Sequence, residues 1–237
     1  LDTNPAVNGQ ATATIDTNDG AVKTITVTQK GQLYTDPPVI EFTDGATNPS
    51  ATAVLEQYGV INRIDIADGG ADYASTPTAT VDAPATFSFN TFSDISGSTI
   101  SIPDNPFTNG LRLVYSTASG SENTNLVDGN TYYVVNSVGN SFGLANSQGG
   151  SAISLSQSAD DTSAESHSLT GVTATVTLTQ SGGEITGITI NDQGTLYDGN
   201  SLPGITIDEA GQTTHATLTV FCGRSLSSIS IGSRGSG

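Results

Sequence analysis

INRIDIADGGADYASTPTATV, residues Ile61 to Val81, is the stretch whose reading decides the fold. Side chains of a strand alternate between faces, so Ile64 and Ile66 share one side of an extended segment. Gly70 closes that segment where a residue without Cβ takes a conformation others resist. Tyr73 and Pro77 follow, and a further short apolar run ends the stretch. Its pieces recur as KGQLYTDPPVIEF (Lys30 to Phe42) and GTLYDGNSLPGITI (Gly194 to Ile207).

Working outward, one template fits four places: an apolar residue, two variable positions, Ile, one variable, Val or Ile, three variable, then Gly. Val22-Ile25-Val27-Gly31, Ile61-Ile64-Ile66-Gly70, Ile185-Ile188-Ile190-Gly194 and Leu226-Ile229-Ile231-Gly235 satisfy it without a gap. An Ala-Thr strand start precedes each, as ATATI (Ala11), ATAVL (Ala51), ATVTL (Ala174) and ATLTV (Ala216). Tyr34, Tyr73 and Tyr197 follow the Gly, then Pro38, Pro77 and Pro203. The pattern predicts tandem repeats of about 40 residues, a period typical of stacked units.

Each repeat is expected to hold three short strands. The Ala-Thr strand turns back through Asn18-Asp19-Gly20 or Ser181-Gly182-Gly183 into the Ile strand, as hairpins with positive φ do. After the Gly corner, Pro fixes φ as the chain enters a third, edge strand. Tyr34, Tyr73 and Tyr197 read as lids over the Ile pairs, with carbohydrate stacking as the alternative.

Composition agrees with this class. The 237 residues carry only 12% charged side chains, Thr, Ser, Gly and Asn fill the space between Val/Ile runs, and no apolar window has helical spacing. An all-β chain is the reading. A net charge of −17 with six scattered Lys and Arg disfavours nucleic acid and anionic membrane as partners. No run of roughly 18 apolar residues is present. The chain has no Met, Gly235-Ser236-Gly237 stop short of the expected Tyr, and Leu1 aligns with Phe42 and Ile207. The native polypeptide is therefore expected to continue in both directions. Cys222, the single cysteine, excludes an intrachain disulfide, fits no metal motif and reads as a buried small hydrophobe beside Val220 and Phe221.

Ala51 and Ala174 lie 123 positions apart where one repeat is expected, so a module is inserted. The organisation is then 1–85 for two repeats and the tail of a preceding one, 86–171 for the module, and 172–237 for a third repeat and a truncated fourth. STISIPDNPFTNGLRLVYST (Ser98 to Thr117), LVDGNTYYVVNSVGNSFGLANS (Leu126 to Ser147), SAISLS (Ser151 to Ser156) and ESHSLTG (Glu165 to Gly171) suggest five or six strands. A small β-barrel or sandwich is the expected closure, because strands in so small a module must hide their edges. The whole is expected to be elongated.

LVDGNTYYVVNSVGNSFGLANSQGGSAISLS (Leu126 to Ser156) resembles a small β module with a DGTTYYV core and an NSFKLA-like strand. That module recurs in virion structural proteins and fibres of tailed bacteriophages and in some bacterial surface adhesins. The flanking G-x-x-Y-x-x-x-P segments look like those of appendage and head-decoration proteins of phages that infect marine cyanobacteria. The first resemblance covers roughly residues 98 to 169, and the second most of the remainder. Asp104-Asn105-Pro106-Phe107 replaces a common Gly-rich turn, and Asp160-Asp161 interrupts the approach to His167-Ser168-Leu169. The family supplies no catalytic residue to carry over.

Chemistry finds little purchase in the residues. His167 and His215 lie in separate alternating segments without a G-x-S-x-G nucleophile. A pair among the 23 carboxylates facing each other across a glycan is the alternative that spacing leaves open, yet Trp is absent. Asp16-Thr17-Asn18-Asp19-Gly20 lacks the distal Glu of a calcium loop and reads as a hairpin turn. Asp65-Asp68-Asp72 and Asp192-Asp198 occupy corresponding positions, where a low-affinity cation is the alternative to a solvated acidic edge. No catalytic, cofactor or metal residue is assigned. The resemblance implies a non-enzymatic virion protein of a tailed phage, as fibre, neck or tail appendage or capsid decoration, at the extracellular virion surface. Its expected partners are other capsid or tail proteins, further copies of itself and host-surface glycan. A bacterial adhesin or surface-layer stalk, and a glycan-binding or depolymerising tailspike, are the alternatives.

Overall fold

Thr, Ser and β-branched residues dominate the chain, and every regular element among the described residues is a β-strand. The structure, a computed structural model, describes residues 7–42, 49–117, 125–156, 167–208 and 214–234. Contacts divide the chain into two units. The first comprises Leu1–Thr80, Val176–Ile190 and Tyr197–Gly237, and the second Val81–Thr175 and Asn191–Leu196. The strands run in chain order as β1 (Gln10–Ile15), β2 (Val22–Gln29), β3 (Ser50–Leu55), β4 (Tyr58–Asp68), β5 (Thr78–Val81) and β6 (Thr86–Phe89). There follow β7 (Ile95–Ser96), β8 (Thr99–Ser101), β9 (Arg112–Thr117), β10 (Thr131–Val138), β11 (Ser141–Ala145) and β12 (His167–Gly171). The last are β13 (Thr175–Ser181), β14 (Glu184–Asp192), β15 (Tyr197–Asp198), β16 (Ile205–Asp208), β17 (Thr217–Gly223) and β18 (Leu226–Ser233).

In the first unit, turn chemistry decides which strands pair. Between β1 and β2 the Asp16 N–H donates to the Ala21 carbonyl at 2.8 Å, and Gly20 takes φ +67°. Between β13 and β14, Gly182 and Gly183 take φ +65° and +86°, the two positive values that a type I′ hairpin needs. Both pairs are hairpins. The expectation of a hairpin in every template copy fails for the other two. Only Glu56-Gln57 separate β3 from β4, only Arg224-Ser225 separate β17 from β18, and no residue in either link has positive φ. Those chains run on without reversing, so their strands exchange partners: β3 pairs antiparallel with β18, and β17 with β4. The links pass each other at Gly59 and Gly223. A Cβ on Gly59 would fall on the Gly223 carbonyl oxygen, and one on Gly223 would sit 3.0 Å from Asn62 Cβ and Leu33 Cα.

The register shows what the exchange conserves. The central Ile of the template faces Ala13 in the hairpin (Ile25), Ala53 in one exchanged pair (Ile229) and Val220 in the other (Ile64). Aligning the Ala-Thr starts would instead put Leu218 opposite Ile64. The β17 start has slid by two residues, which leaves every side chain on its own face.

Of the expected third strands, β5 and β16 pair with each other. Val39–Phe42, the corresponding segment after Pro38, is not a strand. Pro37 and Pro38 remove two adjacent ladder donors there.

The second unit is one sheet of order β6-β12-β9-β10-β11-β8-β7, antiparallel throughout. A small β-barrel or sandwich was expected; among the described residues the module is a single sheet that does not close into a barrel. Its inward face carries Phe89, Ile100, Leu113, Tyr115, Tyr132, Val134, Phe142, Leu144 and Leu169, all buried. Phe107 stands edge-on to Phe87 of β6 at 5.1 Å and to Phe142 of β11 at 4.9 Å. Four inter-strand steps of about 4.8 Å would hold β6 and β11 roughly 19 Å apart in a flat sheet. The sheet therefore curls around Phe107. It leaves edges that are short: β7 has two residues and β6 four. The SAISLS segment, expected as a strand, runs outside the ladder, where Ile153 N–H donates to Leu144 and Leu155 N–H to Gly97. Asp160-Asp161, Gly235-Ser236-Gly237 and Leu1, on which the expectation of a longer polypeptide rests, lie outside the described residues.

The crossing gives a direct test. Gly59→Ala should lower the unfolding free energy by about 2–4 kcal/mol, because backbone cannot yield as a side chain can. Gly182→Ala, with positive φ but nothing within 4 Å of the new Cβ, should cost about 1 kcal/mol. Urea titration of both variants measures the difference.

Candidate functional site

The recurring Gly-x-x-Tyr corner has one geometry. Gly31 and Leu33 take φ +66° and +64°, Gly70 and Asp72 +67° and +66°, Gly194 and Leu196 +65° and +58°. An L side chain in the left-handed region costs about 1–2 kcal/mol, so surrounding bonds must hold it. The residue after each Gly donates its N–H to a distant carbonyl: Gln32 to Val7 (3.0 Å), Ala71 to Thr214 (3.0 Å), Thr195 to Val172 (2.9 Å). Tyr34 Oη accepts the Gly9 N–H at 2.5 Å and Tyr73 Oη the Ala216 N–H at 2.9 Å. The rings lie against the corner glycines, 2.7 and 2.8 Å from where a Cβ would stand on Gly31 and Gly70. Tyr73 is 2% and Tyr197 1% exposed. These two rings present no face to a sugar; their bodies fill the core and Tyr73's hydroxyl ties a strand start to the corner.

The other singled-out residues are likewise engaged. His167 of the second unit is buried, with Nδ1 2.6 Å from Tyr115 Oη and its ring stacked on that of Tyr115. His215 is exposed in the first unit. Cys222 is buried and its thiol donates to the Tyr197 carbonyl at 3.4 Å. Burial pushes that thiol's pKa up to about 11. Among the described residues no three His, Cys, Asp or Glu converge on a metal-sized point. Asp68 and Asp192 each accept the N–H of the corner glycine two residues on, both at 2.8 Å, and Asp65 pairs with Arg63 at 3.2 Å. Asp198 accepts from Asn200 N–H and Gln57 Nε2. In the Asp16–Gly20 turn, Asp16 accepts from the Asn18 backbone and Arg234, and Arg234 also donates to the Val22 carbonyl. The Asn18 N–H first, then Arg234, hold the Asp16 carboxyl below its ordinary range.

Two structural roles had no sequence signal. In the second unit Arg112 grips Asp192 with both terminal nitrogens, at 2.8 and 2.5 Å. Buried Thr195 donates to the Arg112 carbonyl and accepts the Val172 N–H, both at 2.8 Å. One arginine at a strand start reads as a solvated charge until the topology brings its partner.

What stays open is a groove in the first unit, lined by Ala11, Ala13, Ile25, Ile40, Phe42 and Ile229. Ile25 and Ile229 are the central Ile residues of two template copies, half-buried here, and Val39 on its rim is 85% exposed. It is a largely apolar cleft with Thr12 and Glu41 as its polar lining residues.

No family model matches the chain, and comparison with curated proteins and with solved structures gives no match to either.

Two measurements check the side-chain assignments. A thiol at pKa about 11 should react with a disulfide reagent at pH 8 roughly a hundredfold more slowly in the native protein than in urea. The Asp192 carboxyl is held low, chiefly by Arg112 and further by the Gly194 N–H. Its contribution is therefore present above the ordinary carboxylate pKa and lost as pH falls through the lowered native value. Arg112→Met should cost about 1 kcal/mol at pH 7, the pair being partly exposed, and should flatten the loss of stability below about pH 4, read from urea titrations across pH.

Proposed function

We propose that the chain is a structural protein of a tailed-phage particle, a segment of fibre, neck or tail appendage or capsid decoration, in which copies of one β unit are linked in tandem. The observation that carries the reading is the reciprocal exchange of β3 with β18 and of β17 with β4. Segments far apart in sequence are hydrogen-bonded along their lengths, so unfolding one copy requires stripping strands from another. A scaffold under mechanical load gains from such interlocking. The recurring Tyr, Asp and Gly hold backbone to backbone, which is where a scaffold needs its polar groups. The charge of −17 keeps many copies soluble when displayed close together. The sequence resemblance to phage appendage and decoration proteins points the same way. Its partners on this reading are capsid or tail proteins and further copies of the chain, with host-surface glycan as the adhesive target.

Antibody raised against the second unit, applied to purified particles and imaged by electron microscopy, tests this. Label at symmetric, fixed positions on capsid, neck or tail is the expected result. Label on bacterial envelopes and none on particles, or release of reducing ends from host polysaccharide by the purified chain, would overturn it.

A further inference from the structure

One strand of the first unit closes a half-built structure that stands far upstream in the chain. β1 and β2 form a local hairpin, and β3 runs on through Glu56-Gln57 without turning back. What completes these three strands is β18. It pairs with β3 at six positions, from Leu226 opposite Leu55 to Ser233 opposite Ser50. Both of its ends are tied to the hairpin: Leu226 N–H donates to the Lys30 carbonyl at 3.0 Å, and the Arg234 carbonyl accepts the Val22 N–H at 2.9 Å. Leu226 and Ala53 are each 3% exposed in the result.

Nothing local dictates which chain supplies that strand. Leu55 and Leu226 meet across 171 positions, a long loop closure whose entropy cost comes before any contact rewards it. Arg224-Ser225 carry β18 away from its predecessor β17, which pairs with β4. The ladder between β3 and β18 keeps the same hydrogen bonds and buries the same side chains whichever copy provides β18. Charge permits the approach. Arg234, one residue past β18, reaches Asp16 at 3.3 Å and Asp19 at 3.9 Å in the turn between β1 and β2, and Lys30 pairs with Glu56 at 2.6 Å. In a chain of net charge −17, attraction between the end of β18 and the β1–β2 turn offsets repulsion between copies where it matters.

We infer that β18 is a donor strand with β1–β3 as its acceptor, and that two copies of this chain join by exchanging β18, each completing the other's three strands. The inference rests on strand topology and does not depend on the particle reading. Each chain carries one donor and one acceptor, so exchange between two copies closes with two-fold symmetry and leaves no β18 unpaired. Closure within a chain and closure between chains share every contact of the ladder. Concentration therefore decides between them. With an intrachain effective concentration on the order of 1 mM, roughly half of the chains exchange at about 1 mM protein and about 1% at about 10 µM.

The test mixes two full-length variants, Thr52→Cys and Ser230→Cys, at residues that face each other in β3 and β18 and are both exposed. The mixture is unfolded in urea, refolded at about 1 mM or about 10 µM, and treated with a short bismaleimide. Cys222 is buried, so each chain offers one reactive thiol and no cross-link forms within a chain. A covalent dimer of one Thr52→Cys chain with one Ser230→Cys chain is expected, about fiftyfold more abundant at the higher concentration. Val54→Cys with Ser228→Cys, the neighbouring register pair, repeats the measurement where a thermal melt shows that a variant of the first pair has not folded. Absence of the mixed dimer at the higher concentration, equally abundant cross-linking of two Thr52→Cys chains, or an equal yield from chains folded separately and mixed afterwards would overturn the proposal.

Discussion

A β-strand must find a hydrogen-bonding neighbour, and it finds the nearest one only where the chain is able to reverse. That constraint governs the first unit. Gly182-Gly183 supply two positive φ values and Asp16–Gly20 a longer cross-braced turn. Glu56-Gln57 and Arg224-Ser225 supply neither. Their strands cross, and the crossing is possible because Gly59 meets Gly223 with no Cβ between the backbones. Register survives the change of partner because the template Ile residues, half-buried or buried in each copy, demand one face.

The few cations are placed where backbone alone leaves a joint loose. Arg234 clasps the Asp16 turn and the Val22 carbonyl. Arg63 stacks over Phe221 beside the crossing, its guanidinium carbon 3.9 Å from the ring centre, and Arg112 holds Asp192 in the second unit. Each is partly exposed, so its worth lies in geometry more than in Coulomb energy. Polar surface rows add lateral order: Thr14 with Thr24, Thr86 with Thr170 and Ser101 with Ser141 are hydroxyl pairs on outward faces.

The strand class, the positions of the Ile strands and the special corners were legible in the sequence, because each rests on a local rule: period-two alternation, positive-φ glycine, proline after the corner. Tyr73, legible as a lid for the same reason, packs against Ile66 and Ile188, and Tyr197 is likewise buried. Strand partners were not legible, since pairing depends on what the connecting residues fail to do, and absence of a turn is a weak signal beside four matching templates. The pattern Glu56-Gln57 against Gly182-Gly183 was nonetheless available. The curl of the second sheet was hidden too. Phe107 lies in a loop, and nothing local says that it brings Phe87 and Phe142 together.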